Sequence, residues 1–350
     1  MTRSDKLAIG VIGCGHWGPN HVRVFSQSKD CSVIAVADPN EERLRVMRER
    51  FPELRAETDY RALLEDPRIQ AVVIAAPTSL HGRIAGRALE MNKHVLCEKP
   101  LCIDAAEGAA VVRLARKKQL VLMVGHVFLF NPGIVRMKHL IDADEIGEVR
   151  YVSAVRTNLG PVRSDVNAVY DLAAHDIAVF NWLLGSEPFE VRAMGAAFIR
   201  PGIEDVAIVT MKYPGGVLAS IQCSWLDPKK TRQMTIVGSK RMITWDDLAP
   251  NPVAIYEKSV AASREITDYG EFLRVSMFDG DVRFPKLPAV EPLRAQAAAF
   301  VEAIRRGSVE RSDGAFGLGV VRILNEIDLE LVDRTKGERR FENRQPTFAS

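Results

Sequence analysis

Four residues apart in the run Tyr170-Asp171-Leu172-Ala173-Ala174-His175-Asp176 stand a carboxylate and an imidazole. In a helical segment that spacing puts both on one face. A carboxylate one turn from an imidazole orients the ring, raises its pKa and stabilises the imidazolium formed when it takes a proton, which is the equipment of a general base. The spacing equally describes an ordinary pair on a helix surface, but the apolar neighbours Ala173, Ala174, Ile177, Val179 and Phe180 point to a buried setting. A second group is Glu98-Lys99-Pro100, which follows the strand-like run His94–Cys97. The proline keeps the backbone at Lys99 out of the helical region and can hold the ammonium towards a cleft. Taken alone, a lysine ending a strand is also simply a solvated charge. A third group is the polar connection Asn158–Asn167, where Arg163 and Asn167 suit a phosphate or a sugar hydroxyl, or else cap a helix and pair within the loop. His126, opening the segment Gly125–Pro132, is similarly placed, whereas His16, His21, His81, His94 and His139 form no pairing that exceeds a structural role.

The cofactor for such chemistry is written at the start of the chain. Residues 9–18 read Ile-Gly-Val-Ile-Gly-Cys-Gly-His-Trp-Gly, with glycines at 13, 15 and 18 after an apolar run and before a helical pattern. Gly13 permits a tight strand-to-helix turn, Gly15 lets backbone approach a pyrophosphate, and Gly18 lets the helix pack against the strand. A lone glycine triplet is weak, but Cys31–Asp38 then reads as a second buried strand ending in a carboxylate, which completes the unit. A carboxylate there accepts from ribose hydroxyls and repels a 2′-phosphate, so NAD(H) is expected rather than NADP(H), with Arg43 and Arg45 the nearest cations. The competing reading is another α/β domain with a glycine turn and no dinucleotide.

The elements that must position these groups alternate at first. Helical patterns at Glu41–Phe51, Tyr60–Leu64, His81–Asn92 and Ala105–Lys118 separate apolar runs at Ala71–Ala76, His94–Cys97 and Val121–Val124, which implies a parallel sheet to about residue 125. A helix from Pro132 to about Ile141 follows. Glu148–Arg156 then alternates, a helix covers Asp171–Leu184, and strand-like runs succeed one another at Val191–Ile199, Val206–Tyr213, Val217–Trp225, Gln233–Val237, Arg241–Trp245 and Val253–Tyr256. Consecutive strands with short turns predict a largely antiparallel sheet, and Pro292–Arg306 and Gly317–Val332 are late amphipathic helices. The expected division is 1–125 as an α/β dinucleotide-binding domain and 126–350 as an α+β domain for substrate binding and oligomerisation, the late helices being free to pack back on the first. No internal repeat is present, and the charged tail Arg334–Ser350 reads as loosely held. A single sheet with helices on one face leaves its other face to a second subunit, although the alternation Ser220, Gln222, Ser224 also suits a solvated monomer.

Composition narrows the classes further. At 350 residues the chain is long enough for two cores, and 47 basic against 45 acidic side chains give no field that would draw nucleic acid or an anionic membrane. The N-terminal residues lack the apolar stretch of a signal peptide and no run reaches membrane-spanning length, so a cytoplasmic protein is expected. Five cysteines without Cys-x-x-Cys spacing read as reduced buried thiols, no His/Cys/carboxylate cluster has metal-ligand spacing, and no Gly-x-Ser-x-Gly elbow is present.

With Gly13–Gly18, Asp38, Glu98-Lys99-Pro100 and Asp171-x-x-x-His175 in this order, the chain resembles the Gfo/Idh/MocA family of NAD(P)-dependent oxidoreductases over essentially its whole length. The joint pattern is specific where each motif alone is not. The resemblance implies a Rossmann domain, a C-terminal domain on an open sheet, homodimers or homotetramers through that sheet, and Lys99, Asp171 and His175 as the catalytic set, with a Lys99–Pro100 bond that can be cis. It nominates Gly13, Gly15, His16, Trp17, Gly18, Asp38, Ala76, Pro77, Thr78, His81, Glu98 and Lys99 for the cofactor. His126, Arg163, Asn167 and His175 are nominated for the substrate, and no metal is expected. Within the family, the runs 125–132 and 158–167 are similar to those of members acting on nucleotide sugars, the 3-dehydrogenases of UDP-N-acetylglucosamine in particular. The expected reaction is NAD-dependent oxidation of a secondary sugar hydroxyl. Its rivals are reduction of a keto sugar, oxidation of inositol or a free sugar, a glycosidase that uses NAD without net redox change, and a regulator that only binds NAD; a poised base argues against the last.

Overall fold

Apolar runs separated by amphipathic stretches become parallel strands because both of their faces are covered. The computed structural model describes residues 6–267 and 270–342, with side chains described outside 263–274 and 332–342. Its first element series is β1 (Leu7–Ile12), α1 (Gly18–Ser26), β2 (Cys31–Ala37), α2 (Glu41–Arg50), β3 (Arg55–Glu57), α3 (Arg61–Glu65), β4 (Ala71–Ile74), α4 (His81–Glu90), β5 (His94–Glu98), α5 (Ala105–Lys118) and β6 (Leu122–Gly125). The six strands form one parallel sheet in the order β3-β2-β1-β4-β5-β6. The order reverses between β1 and β4, which is where such sheets open a crevice at the carboxyl ends of their strands. Helix ends are chemically marked. Asn40 accepts the Arg43 N–H at the start of α2, and Asp104 accepts the Glu107 N–H at 2.7 Å at the start of α5, each supplying a partner to an otherwise orphaned donor.

The second series begins with α6 (Pro132–Asp142) and β7 (Val149–Leu159). After a π-helical turn at Val169–Ala173 come α7 (Ala174–Leu184), β8 (Glu190–Ala196), β9 (Val206–Tyr213), β10 (Val217–Ser224), β11 (Leu226–Gly238), β12 (Met242–Asp246), β13 (Val253–Thr267) and β14 (Gly270–Arg283). These strands form one open sheet, β14-β13-β12-β11-β7-β10-β9-β8, antiparallel at every step except β7–β10. Strict alternation decides its faces: Ala207, Val209, Met211 and Tyr213 of β9 are buried, as are Val217, Ala219, Ile221 and Cys223 of β10, while their even-numbered neighbours Ile208 and Leu218 are exposed. The Tyr213 hydroxyl donates to Asn181 of α7 at 2.7 Å, and Arg156 of β7 forms a bidentate pair with Asp176 of α7 at 2.8 Å, both almost fully buried. These contacts lock α7 onto the inner face.

The chain then forms α8 (Pro292–Arg306) and α9 (Gly314–Glu342). Two units result, each with its own core. The first takes the described residues up to Asn131 together with Ala289–Asn325, and the second takes Pro132–Pro288 and the residues from Glu326. Helix α8 and the first part of α9 thus belong to the first unit. Phe300 of α8 meets Phe25 of α1 edge-on, Ser312 exchanges hydrogen bonds with the Val124 backbone of β6, and Leu318 and Val321 join the core formed by Val72, Val95, Val124, Ile84 and Val111. The α/β and α+β classes expected for the two parts are the ones found. Two features exceed the expectation: β13 runs eleven residues past Tyr256, and β14 pairs along it. Part of the tail expected to be loose, up to Glu342, is helical, and residues 343–350 lie outside the described residues. Among the described residues no helix is long and apolar enough to cross a membrane.

Candidate active site

The glycine turn of the first unit has the shape that its sequence demands. Gly13 follows β1 with φ of +97°, and a Cβ there would lie 2.4 Å from the Ala75 carbonyl oxygen. A Cβ on Gly18 would lie 2.0 Å from the Gly13 oxygen. Gly15 differs, since the nearest atom to its imagined Cβ is the Arg43 guanidinium at 3.9 Å. The first and third glycines are thus packed on backbone while the second faces room, which is the cradle a pyrophosphate needs. Asp38, just past β2, is buried, and its oxygens accept the Cys14 N–H at 2.7 Å and the Asn40 N–H at 2.9 Å, with Arg43 at 3.4 Å. The acid therefore fastens the turn. His16 and Trp17 are exposed beside the turn with their rings edge-on. Burial, then the Asp38 charge, push the Cys14 thiol up to about 12, so it has no nucleophilic role at neutral pH. All five cysteines are free and buried.

Ala76 and Pro77 lie beyond the carboxyl end of β4, with Thr78 buried at the start of a short 3-10 turn. His81 opens α4 and is buried, its Nδ1 2.7 Å from the Pro100 carbonyl oxygen and its Nε2 2.8 Å from that of Ala76. Carbonyl oxygens only accept, so both bonds together require an imidazolium, which burial opposes by pushing the ring's pKa down. Either way His81 braces the loop after β4 against the loop after β5.

That second loop carries the lysine. Glu98 ends β5, and the Lys99–Pro100 bond is cis. The Glu98 carboxylate meets His21 Nε2 of α1 at 2.8 Å, and its other oxygen accepts the Lys99 N–H at 3.2 Å. Burial pushes this acid up, but the hydrogen bond from His21 and the charge and N–H of Lys99 outweigh it and hold the carboxyl below its ordinary range. Its β6 neighbour is Gly125, where a Cβ would sit 3.2 Å from the carboxylate. His126 follows, buried, its ring edge-on to Phe316. Burial and then the Lys99 charge push His126 down to about 3.

In the second unit the sequence spacing acquires a different meaning. Asp171 lies in the π-helical turn and His175 in the regular helix after it, so the pair spans the junction of the two. The two Asp171 oxygens accept from Trp225 Nε1 and from the Arg163 guanidinium, each at 3.1 Å. Arg163 also forks onto Asp165 at 2.6 and 2.9 Å. Asn167 donates to Glu204 and Asp328 and accepts the Tyr170 N–H, which fixes the backbone at the entrance to the turn. Arg163 and Asn167 thus build the support of the segment carrying Asp171. Asp171 and His175 are both partly buried. Reading by residue type missed the partners His21 and Trp225; the available signals were a histidine on the buried face of α1 and a tryptophan closing a strand-like run. Among the described residues no three His, Cys, Asp or Glu side chains cluster as a metal ion would require.

Comparison with known proteins agrees with this architecture. Residues 7–126 match an oxidoreductase family model with an NAD-binding Rossmann fold, and residues 134–244 match the GFO/IDH/MocA C-terminal domain. The chain is 32% identical to UDP-N-acetylglucosamine 3-dehydrogenase of Acidithiobacillus ferrooxidans, over 72% of this chain and 77% of that one. A solved structure of that enzyme matches with a TM-score of 0.77 and 29% identity, covering 93% and 97% of the two chains. The chain is 31% identical to dTDP-3,4-didehydro-2,6-dideoxy-alpha-D-glucose 3-reductase of Streptomyces violaceoruber over 86% of each chain. It is 26% identical to myo-inositol 2-dehydrogenase of Thermotoga maritima over 72% and 79%. The glycine cradle with its fastening acid, the lysine that follows β5, the open second sheet and these matches make the chain an NAD-binding oxidoreductase of the Gfo/Idh/MocA family.

Proposed function

We propose that this oxidoreductase converts a secondary hydroxyl of a nucleotide sugar, the C3 hydroxyl of UDP-N-acetylglucosamine or a close relative, to the ketone. The observation that carries this reading is the likeness to UDP-N-acetylglucosamine 3-dehydrogenase, at 32% identity in sequence and a TM-score of 0.77 in structure. NAD+, held by Gly13, Gly15, Gly18 and Asp38 with His16, Trp17, Ala76, Pro77, Thr78 and Glu98 alongside, supplies the hydride acceptor when bound. The carbinol carbon gives up its hydride and the hydroxyl oxygen gives up its proton to His175. Asp171, fixed by Trp225 and Arg163, supplies the negative charge that favours the resulting imidazolium. Lys99 donates a hydrogen bond to the oxygen as charge develops on it, and that bond strengthens on the way to the transition state. Arg163 and Asn167 hold the segment that presents Asp171. The exposed outer face of the second unit's sheet suits a homodimer or homotetramer.

A second reading has one observation in its favour. The reductase acting on a dTDP-keto sugar matches a larger share of both chains, so the working direction can be reduction. Purified protein is assayed by NADH absorbance with NAD+ and UDP-N-acetylglucosamine, free N-acetylglucosamine, glucose and inositol, and with NADH and keto sugars. NADH formed with the UDP-sugar alone, and a ketone at C3 by product analysis, is the expected result. A signal only with inositol or a free sugar overturns the nucleotide-sugar assignment, and NADH consumption with keto sugars alone reverses the direction. His175→Ala is expected to slow the active reaction by about 10²–10⁴-fold. A variant as fast as the parent removes His175 from the role of base.

A further inference from the structure

Glu98 is held from three sides, and only one of those contacts belongs to its own strand. His21 reaches it from α1, with Nε2 2.8 Å from one carboxylate oxygen. The His21 ring is fixed in turn, stacked on Phe25, which meets Phe300 of α8 edge-on. Gly125 of the paired strand leaves room that a Cβ would fill, and the Lys99 N–H occupies the second oxygen. Among the described residues, His21 Nδ1 is buried and has no hydrogen-bond partner. An imidazolium would bury an unpaired charged N–H at that atom, so the neutral ring with its proton on Nε2 is the form that fits. His21 then acts on Glu98 as a plain hydrogen-bond donor.

Lys99 acts on Glu98 through its charge as well as through its N–H. His81 from α4 and His126 after β6 both face this pair, and burial pushes both rings towards the neutral form. Cys97 on the same strand is pushed well up by burial and stays a thiol. A carboxylate this buried keeps its charge only if its oxygens have donors.

We propose that His21 is a positioning residue for Lys99, acting through Glu98: its Nε2–H pins the carboxylate so that a fixed negative charge stands beside the lysine and keeps it an ammonium. The importance of that charge rests on the role proposed above for Lys99, but its existence does not. Without the His21 donor, Glu98 takes up a proton, the neighbouring charge disappears and Lys99 loses its proton more readily.

The test needs no sugar substrate, so it reads separately from the assay of function. Competitive acetylation of the full chain by acetic anhydride across a pH series, with the Lys99 peptide followed by mass spectrometry, gives the midpoint of that lysine. His21→Phe is expected to lower the midpoint by about one pH unit, a roughly tenfold larger amine fraction at a given pH. Glu98→Gln is expected to lower it equally. His21→Gln, whose amide can place an N–H near the position of Nε2, keeps it at the parent value. An unchanged midpoint in Glu98→Gln overturns the charge effect. A fall in Glu98→Gln with none in His21→Phe overturns the part given to His21, and a fall in His21→Gln as large as in His21→Phe overturns the donor. If His21→Phe does not fold, His21→Asn, whose shorter amide falls short of Glu98, takes its place on the same readout: a lowered midpoint supports the proposal and an unchanged one overturns it.

Discussion

At the scale of single residues, burial decides which histidines can carry a proton. His126 is buried, and among the described residues neither of its ring nitrogens has a hydrogen-bond partner. Burial first and the Lys99 charge second push it from 6.5 down to about 3, against a smaller opposing effect of Glu98. The ring is therefore neutral in the folded protein at pH values where the unfolded chain protonates it. The unfolded state binds more protons below pH 6.5, so stability falls as pH drops from 6.5 towards 3, by about 1.4 kcal/mol per pH unit for each such histidine. His126→Phe keeps an aromatic ring against Phe316 and removes the titrating group. Urea midpoints between neutral pH and about pH 4.5 are expected to show a slope flatter by about that amount. His81 and His94, also pushed down by burial, keep the slope from vanishing, and a variant with the parent slope refutes the assignment. The sequence displayed the residue types of the site but not their partners. Lys99, Asp171 and His175 stand out by type and spacing, whereas His21 finds Glu98 across 77 positions and Trp225 finds Asp171 across 54, pairings that only the fold creates.

At the scale of elements, the glycine turn separates folding from binding. Gly18 lies where α1 touches the backbone of the turn, and Gly15 lies where nothing nearer than the Arg43 guanidinium stands. Gly18→Ala forces backbone apart and is expected to destabilise the first unit by roughly 1–3 kcal/mol. Gly15→Ala is expected to leave the thermal midpoint unchanged and to weaken NADH binding by at least about tenfold, since its methyl fills room meant for phosphate. Calorimetry and fluorescence titration on the two variants check both statements, and equal effects on stability would refute the division of roles. Elements whose burial alternates cleanly were legible: Ala105–Lys118, Val206–Tyr213 and Pro292–Arg306 were read at the bounds they have. The long hairpin was not, because beyond Tyr256 the run Glu-Lys-Ser-Val-Ala-Ala carries no clean apolar alternation and pairing between β13 and β14 alone extends it. The π-helical turn at Val169–Ala173 was hidden too. Periodicity in sequence cannot distinguish one widened turn from a regular helix start.

At the scale of the whole molecule, balanced charge leaves apolar surface as the main driver of self-association. The outer face of the second unit's sheet supplies it. Met194 of β8 pairs with Ile208 of β9, and Leu218 of β10 pairs with Tyr151 of β7, all four side chains being exposed. Exposed apolar surface of this kind is where soluble chains meet copies of themselves, and a two-fold axis would set this face against itself. Leu218→Glu then places two carboxylates in one apolar interface, while in an isolated chain the same side chain points into water. Sedimentation equilibrium is expected to find the parent as a dimer or tetramer and Leu218→Glu shifted towards monomer, with the far-ultraviolet spectrum and thermal unfolding of a folded sheet. A parent that is monomeric at every concentration overturns the proposed self-association, and an assembly untouched by the charge places the interface on another surface.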